Sequence, residues 1–382
     1  MEAIETLQVQ EPELEIEFQV EDPKPKQKTR VIYLDILRVL SIICVITLHT
    51  VAGKVADMTS IGQASWWWAC ALNGMLRWAV PVFFMISGVL TLDKPDLDNL
   101  PRFLKTRLVK IGIPFLIWSV IYSFIKEIYV LQHAISFPNI LGTILSNIFL
   151  DQSYYHLWFV YDIFILYLIS PLLKKIIVNA TKKEFEYWIG LWFVVTVLYT
   201  CLQQVMMFIG QQQYFYVHIL NVPFAFGLSG YYILGYYLHR YDLPKKLRMI
   251  VYIGSLISVA VTIFGTYALS ISKNVLNESF YSHFSITTAF ISVAAFIFMK
   301  RINWKKRLTE SFQNFIVILS NATFGIYLVH LAVTLYLASK LSFLLSTSYA
   351  LYTITIIVGT FVLSFFIVKL LQLIPFVGKY LF

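Results

Sequence analysis

From residue 31 onward the apolar residues fall in blocks of about twenty, separated by short polar loops. A helix that crosses a bilayer needs about 20 mostly apolar residues. Ten blocks approach that length: 33–52, 73–92, 111–130, 156–173, 187–209, 222–239, 249–271, 284–300, 315–338 and 350–374. The pattern predicts an all-α polytopic membrane protein, a bundle of about ten transmembrane helices. Residues 1–30 do not follow it. They are rich in Glu, then basic at Lys24, Lys26, Lys28 and Arg30, with Pro23 and Pro25 between. With little apolar surface to bury, 1–30 reads as a disordered cytoplasmic tail and 31–382 as the transmembrane domain. The stretch Ser65–Arg77, SWWWACALNGMLR, reads as an outer interfacial segment leading into the second span, because tryptophan favours headgroup depth.

Charge adds orientation. Most of the 30 Lys and Arg residues fall in alternate loops, which places those loops inside and both termini in the cytoplasm. The chain is 58% hydrophobic and 13% charged, against about 25% charged in a soluble domain. The formal charge of +9 therefore marks topology, not a nucleic-acid partner. Cys44, Cys70 and Cys201 follow no metal or redox spacing and read as small core residues; no metal site is expected. The first apolar block is a full span, not a cleavable leader, and no loop is long enough for a soluble domain.

One span breaks the apolar rule. YLDILRVLSIICVITLHTV, residues 33–51, carries Asp35, Arg38 and His49. A charge at membrane depth costs about 2.5–3.5 kcal/mol even on lenient scales, so such residues face protein or a wet cavity. At about 100° per residue, Arg38 and His49 fall within about 20° of the same azimuth, roughly 16 Å apart along the axis. Asp35 shares that face and can pair with Arg38 at i,i+3. The spacing also admits a plainer reading, an anchoring ion pair with an interfacial histidine.

Four stretches in order resemble the membrane acyltransferase-3 family. They are the Arg38…His49 spacing, PVFFMISG at Pro81–Gly88, HLWF at His156–Phe159 and FGIYLVH at Phe324–His330. The likeness is greatest to the branch that acylates surface polysaccharides. It implies a membrane O-acyltransferase, an acetyltransferase by preference, in a bacterial plasma membrane. The donor would be cytosolic acetyl-CoA or another acyl-CoA, used as a co-substrate with no permanently bound cofactor. The acceptor would be a cell-surface glycan or its lipid-linked precursor. Composition alone equally allows a transporter or flippase of a lipid-linked saccharide, although the paired half-repeats common in transporters are not seen.

Acyl transfer needs a base for the acceptor hydroxyl and donors for the developing oxyanion. His49 suits the first role and Arg38 would position the donor. Arg77, His156 and His330 are expected at the same outward depth, completing an acceptor site with Asp35 lower on the track. Arg102, Lys105 and Arg107, in NLPRFLKTRLVK, are expected on a membrane-lying inner helix where they could receive coenzyme A phosphates. Ser87 in PVFFMISG reads as one half of a close-packing Ser-Gly pair rather than a nucleophile.

Overall fold

The computed structural model describes residues 30–94, 97, 99–127, 137–149, 153–209 and 224–381. The expected tail lies almost wholly outside them. Among the described residues there are helices and no strand. In chain order these are α1 (Ile32–Ala56), α2 (Ala64–Leu76), α3 (Ala79–Leu92), α4 (Leu100–Arg107), α5 (Ile113–Ile125), α6 (Phe137–Phe149), α7 (Trp158–Val178) and α8 (Lys182–Trp192). They continue as α9 (Tyr199–Phe208), α10 (Phe224–Arg240), α11 (Lys245–Lys273), α12 (Ile286–Arg301), α13 (Trp304–Arg307), α14 (Glu310–Lys340), α15 (Tyr349–Gln372) and α16 (Pro375–Leu381).

Eight stretches are long and apolar enough to cross a membrane: α1, α2 with α3, α4 with α5, α8 with α9, α11, α12, α14 and α15. The two other expected blocks also overlie helices. α7 has 21 residues but carries Asp162, Lys174 and Lys175, and α10 has 17 described residues. The chain is a polytopic helical membrane protein.

α1 is the hub, packed against α2, α3, α14 and α15. Its own polar groups are folded back: the Thr47 and Thr50 hydroxyls donate to the Ile43 and Ile46 carbonyls. In hydrocarbon that spares each hydroxyl the cost of an unmade bond. α11 and α15 form the periphery, where Leu256 and Leu370 remain exposed, as lipid-facing residues should.

Three boundaries differ from the sequence expectation. Ser65–Arg77 is mostly helix α2, lying on α1: Trp66 is fully buried and its Nε1 donates to the Val55 carbonyl at 3.1 Å. Only Trp68 of the three tryptophans is exposed, so the run is a core contact as much as an interfacial one. The second span is then α2 and α3 together, broken at Arg77–Trp78. Pro81, with no N–H to give the Arg77 carbonyl, accounts for the break. Finally, the basic segment expected on a membrane-lying helix is the first part of the third span. α4 passes into α5 through a widened π turn at Leu108–Gly112, just before Pro114.

α3 and α10 cross at backbone contact. A Cβ on Gly88 would lie 1.9 Å from the Tyr232 carbonyl oxygen, and one on Gly235 lies 2.3 Å from that of Met85. Gly88 is the close-packing residue the Ser-Gly reading expected.

Candidate active site

α1 and α14 build the site between them. Near the start of α1, the buried Asp35 accepts a hydrogen bond from Ser320 Oγ of α14 at 2.6 Å. Further along both helices the rings of His49 and His330 stand 5.3 Å apart, centroid to centroid. Two contacts in the same order along both chains mean that the helices run parallel. The polar face read from the first span is thus the seam between α1 and α14.

His156, in the turn before α7, completes a triangle of imidazoles. Its ring lies 6.3 Å from His49 and 5.5 Å from His330. Three histidines distant in sequence thus meet in one place. His156 and His330 are buried. His49 keeps part of its surface accessible although protein surrounds it, which places it on the wall of a crevice. Tyr155, largely exposed, stands edge-on to His49 at 5.4 Å.

Tyrosines hold the triangle in place. The Tyr327 hydroxyl donates to the His156 main-chain carbonyl, tying α14 to the turn before α7. The Tyr122 hydroxyl of α5 donates to the Leu328 carbonyl at 2.8 Å and accepts from the Ala332 N–H at 3.4 Å. Those two groups bracket His330, so the turn that carries it is pinned to α5. Tyr122 also meets the His156 ring in a T-shape at 4.6 Å. Both ring nitrogens of His156, and Nε2 of His330, are buried with no hydrogen-bond partner among the described residues. A buried polar atom without a partner costs about 1–3 kcal/mol. Three together mark a site built for something other than stability.

Arg77 sits at the α2–α3 break. Its Nε donates to Asn73 Oδ1 at 2.7 Å and its guanidinium lies 4.2 Å over the Tyr281 ring. His283 stacks on Trp158 at 5.1 Å and its carbonyl accepts from the Tyr231 hydroxyl at 2.7 Å. Tyr122, Tyr327, Tyr281 and His283 were not among the expected site residues. Tyr327 had a signal, lying three residues before His330 in FGIYLVH and so on the same helix face. His283 had none beyond its type.

The remaining expected residues lie apart from the histidines. Arg38 is partly buried toward the Asp35 end of α1. Arg102 and Lys105 are exposed on α4, but Arg107 is separated from them. Its guanidinium stacks between Phe103 at 5.0 Å and Tyr167 of α7 at 4.7 Å. In the loop after α10, Asp242 accepts a hydrogen bond from the Lys300 ammonium at the end of α12 at 2.8 Å, which holds the carboxyl below its ordinary range. Two apolar cavities, of about 350 and 440 Å³, border α8, and none of the expected site residues lines either. Among the described residues no cluster of His, Cys, Asp and Glu could hold a metal ion.

Fold and site together define an integral membrane protein with a histidine centre enclosed by its helices. Residues 31–369 match the acyltransferase-3 family, described as an acyltransferase domain, and the chain belongs to that family. It is a membrane acyltransferase. No curated protein and no solved structure matches it.

Proposed function

We propose that the protein is an acyl-CoA-dependent O-acyltransferase, with acetyl the preferred group, acting on a hydroxyl of a cell-surface polysaccharide or its lipid-linked precursor. The observation that carries this reading is the meeting of His49, His156 and His330. His49 alone of the three imidazoles keeps accessible surface, so it is the one an acceptor can reach.

In this reading His49 takes the proton of the acceptor hydroxyl as the oxygen attacks the thioester carbonyl carbon. Arg77 faces the oxygen that gains charge, where a fixed cation is worth most in a water-poor site. The C–S bond then breaks, the proton passes from His49 to the coenzyme A sulfur, and the products are an ester and the free thiol. Arg38 positions the donor, and Asp35 with Ser320 keeps α1 and α14 in register below the histidines. His156 and His330 line the acceptor side. The donor approaches from the cytoplasmic face, its nucleotide beside Arg102 and Lys105, with Arg107 turned inward behind them. The chain sits in the plasma membrane with ten spans and both ends inside.

The experiment uses sealed inside-out vesicles given labelled acetyl-CoA and, in the lumen, extracted surface glycan. Labelled glycan should accumulate inside. His49→Ala should lower turnover about 10²- to 10⁴-fold with protein level and membrane insertion unchanged. Normal turnover in that variant removes His49 from the chemistry, and export of glycan without label decides for a transporter.

A further inference from the structure

The reaction as written leaves two buried imidazoles beside His49 as lining, and their hydrogen bonding is not equivalent. His330 Nδ1 lies 2.5 Å from the main-chain carbonyl oxygen of Tyr327. A carbonyl can only accept, so the proton in that contact belongs to Nδ1. The neutral ring must then carry its lone pair on Nε2. That Nε2 is one of the buried atoms without a partner among the described residues. His156 has no ring hydrogen bond among the described residues to fix its tautomer. His330 is therefore a base oriented by the backbone, and the ring 5.3 Å away is His49. Two imidazoles joined in line by an N–H···N bond have centroids about 5 Å apart. The observed centroid distance matches that arrangement in length.

We propose that His330 is the positioning and proton-sharing partner of His49. Its Nε2 accepts the N–H of His49, which leaves the other His49 nitrogen as a lone pair directed at the acceptor hydroxyl. The inference rests on the reading of His49 as general base and adds what makes it one. As the acceptor proton arrives on one nitrogen of His49, the proton on the opposite nitrogen is shared with His330 Nε2. It returns when His49 gives a proton to the departing sulfur, and both rings end neutral. The sharing has an electrostatic reason. A charge spread over two rings costs less to form away from water than one confined to a single ring. Among the described residues the pair's ring contacts are with His156, Tyr155 and Tyr327, and none of these is a carboxylate that could neutralise it.

Three variants, His330→Ala, His330→Phe and His330→Gln, separate this role from packing. Each is purified in detergent and assayed per folded protein with labelled acetyl-CoA and extracted surface glycan. The glutamine amide oxygen can accept a hydrogen bond; the phenyl ring cannot, though it fills the site better. Proton sharing predicts that His330→Gln keeps more kcat than His330→Phe, the latter falling about 10- to 100-fold with the KM for acetyl-CoA little changed. It also predicts that added imidazole restores activity to His330→Ala and not to His330→Phe, and that the acidic limb of kcat against pH shifts in His330→Phe. A packing role predicts the reverse order, phenylalanine above glutamine, with no rescue and an unmoved limb, and that outcome overturns the inference. His49→Ala inactive beside a fully active His330→Phe also overturns it, leaving the His49 reading intact. Wild-type turnover in His49→Ala instead refutes the underlying reading.

Discussion

Replacing Gly88 by alanine puts a methyl carbon 1.9 Å from the Tyr232 carbonyl oxygen, where ordinary contact begins near 3.4 Å. The atom in the way is backbone, which no rotamer change can move aside. α3 and α10 must part by about 1.5 Å, the difference between those two distances. Overpacking of this kind costs about 1–3 kcal/mol. The effect should reach the chemistry, because α3 begins just after Arg77 and a displacement of about 1 Å at a reacting centre can cost about 100-fold in rate. Gly88→Ala should therefore lose both stability and acyl transfer although it touches none of the histidines. Gly53 supplies the control: it lies inside α1, and an added Cβ meets nothing within 4 Å. Gly53→Ala should be neutral or gain up to about 1 kcal/mol from helix propensity. Thermal unfolding in detergent, followed by a thiol-reactive dye reporting the buried Cys44 and Cys70, reads stability, and labelled acetyl-CoA reads transfer. A Gly88→Ala protein that melts and turns over like Gly53→Ala would refute the close approach of α3 and α10 and the coupling drawn from it.

The basic residues of α4 should divide by position. Arg102→Glu with Lys105→Glu should leave the melting temperature in place and raise the apparent KM for acetyl-CoA more than it changes kcat. Arg107→Ala should lower stability itself, since stacking on two rings is worth about 0.5–2 kcal/mol; equal behaviour of all three positions would contradict the inward turn of Arg107. Topology is checked with single cysteines: those at the exposed Thr59, Asn274 and Ser346 should react with an impermeant reagent from outside. Those at Asn99, Thr181 and Asn303 should react only after permeabilisation, and one reversed position breaks the ten-span arrangement.

Span positions were legible because hydropathy is a local property, tested against the bilayer one helix at a time. The polar face of α1 was legible for the same reason, since helical periodicity alone puts Asp35, Arg38 and His49 on one side. The expected common depth of His49, His156 and His330 followed from counting residues into each span. Which groups those faces meet was not legible. Asp35 hydrogen-bonds Ser320, 285 positions away, a partner that spacing within α1 could not name. Arg102, Lys105 and Arg107 look like one cluster in sequence. Two aromatic rings, Phe103 and Tyr167, draw the last away from the others, and that does not follow from charge spacing. The bend at Arg77 could be suspected from Pro81, but its consequence, an arginine over the Tyr281 ring, depends on where α2 and α3 pack. Most of all, the proton on His330 Nδ1 was settled by a backbone carbonyl one helical turn earlier and by the tyrosine contacts that hold that turn in place. Local periodicity determines what a helix presents, whereas tertiary packing decides what that face touches.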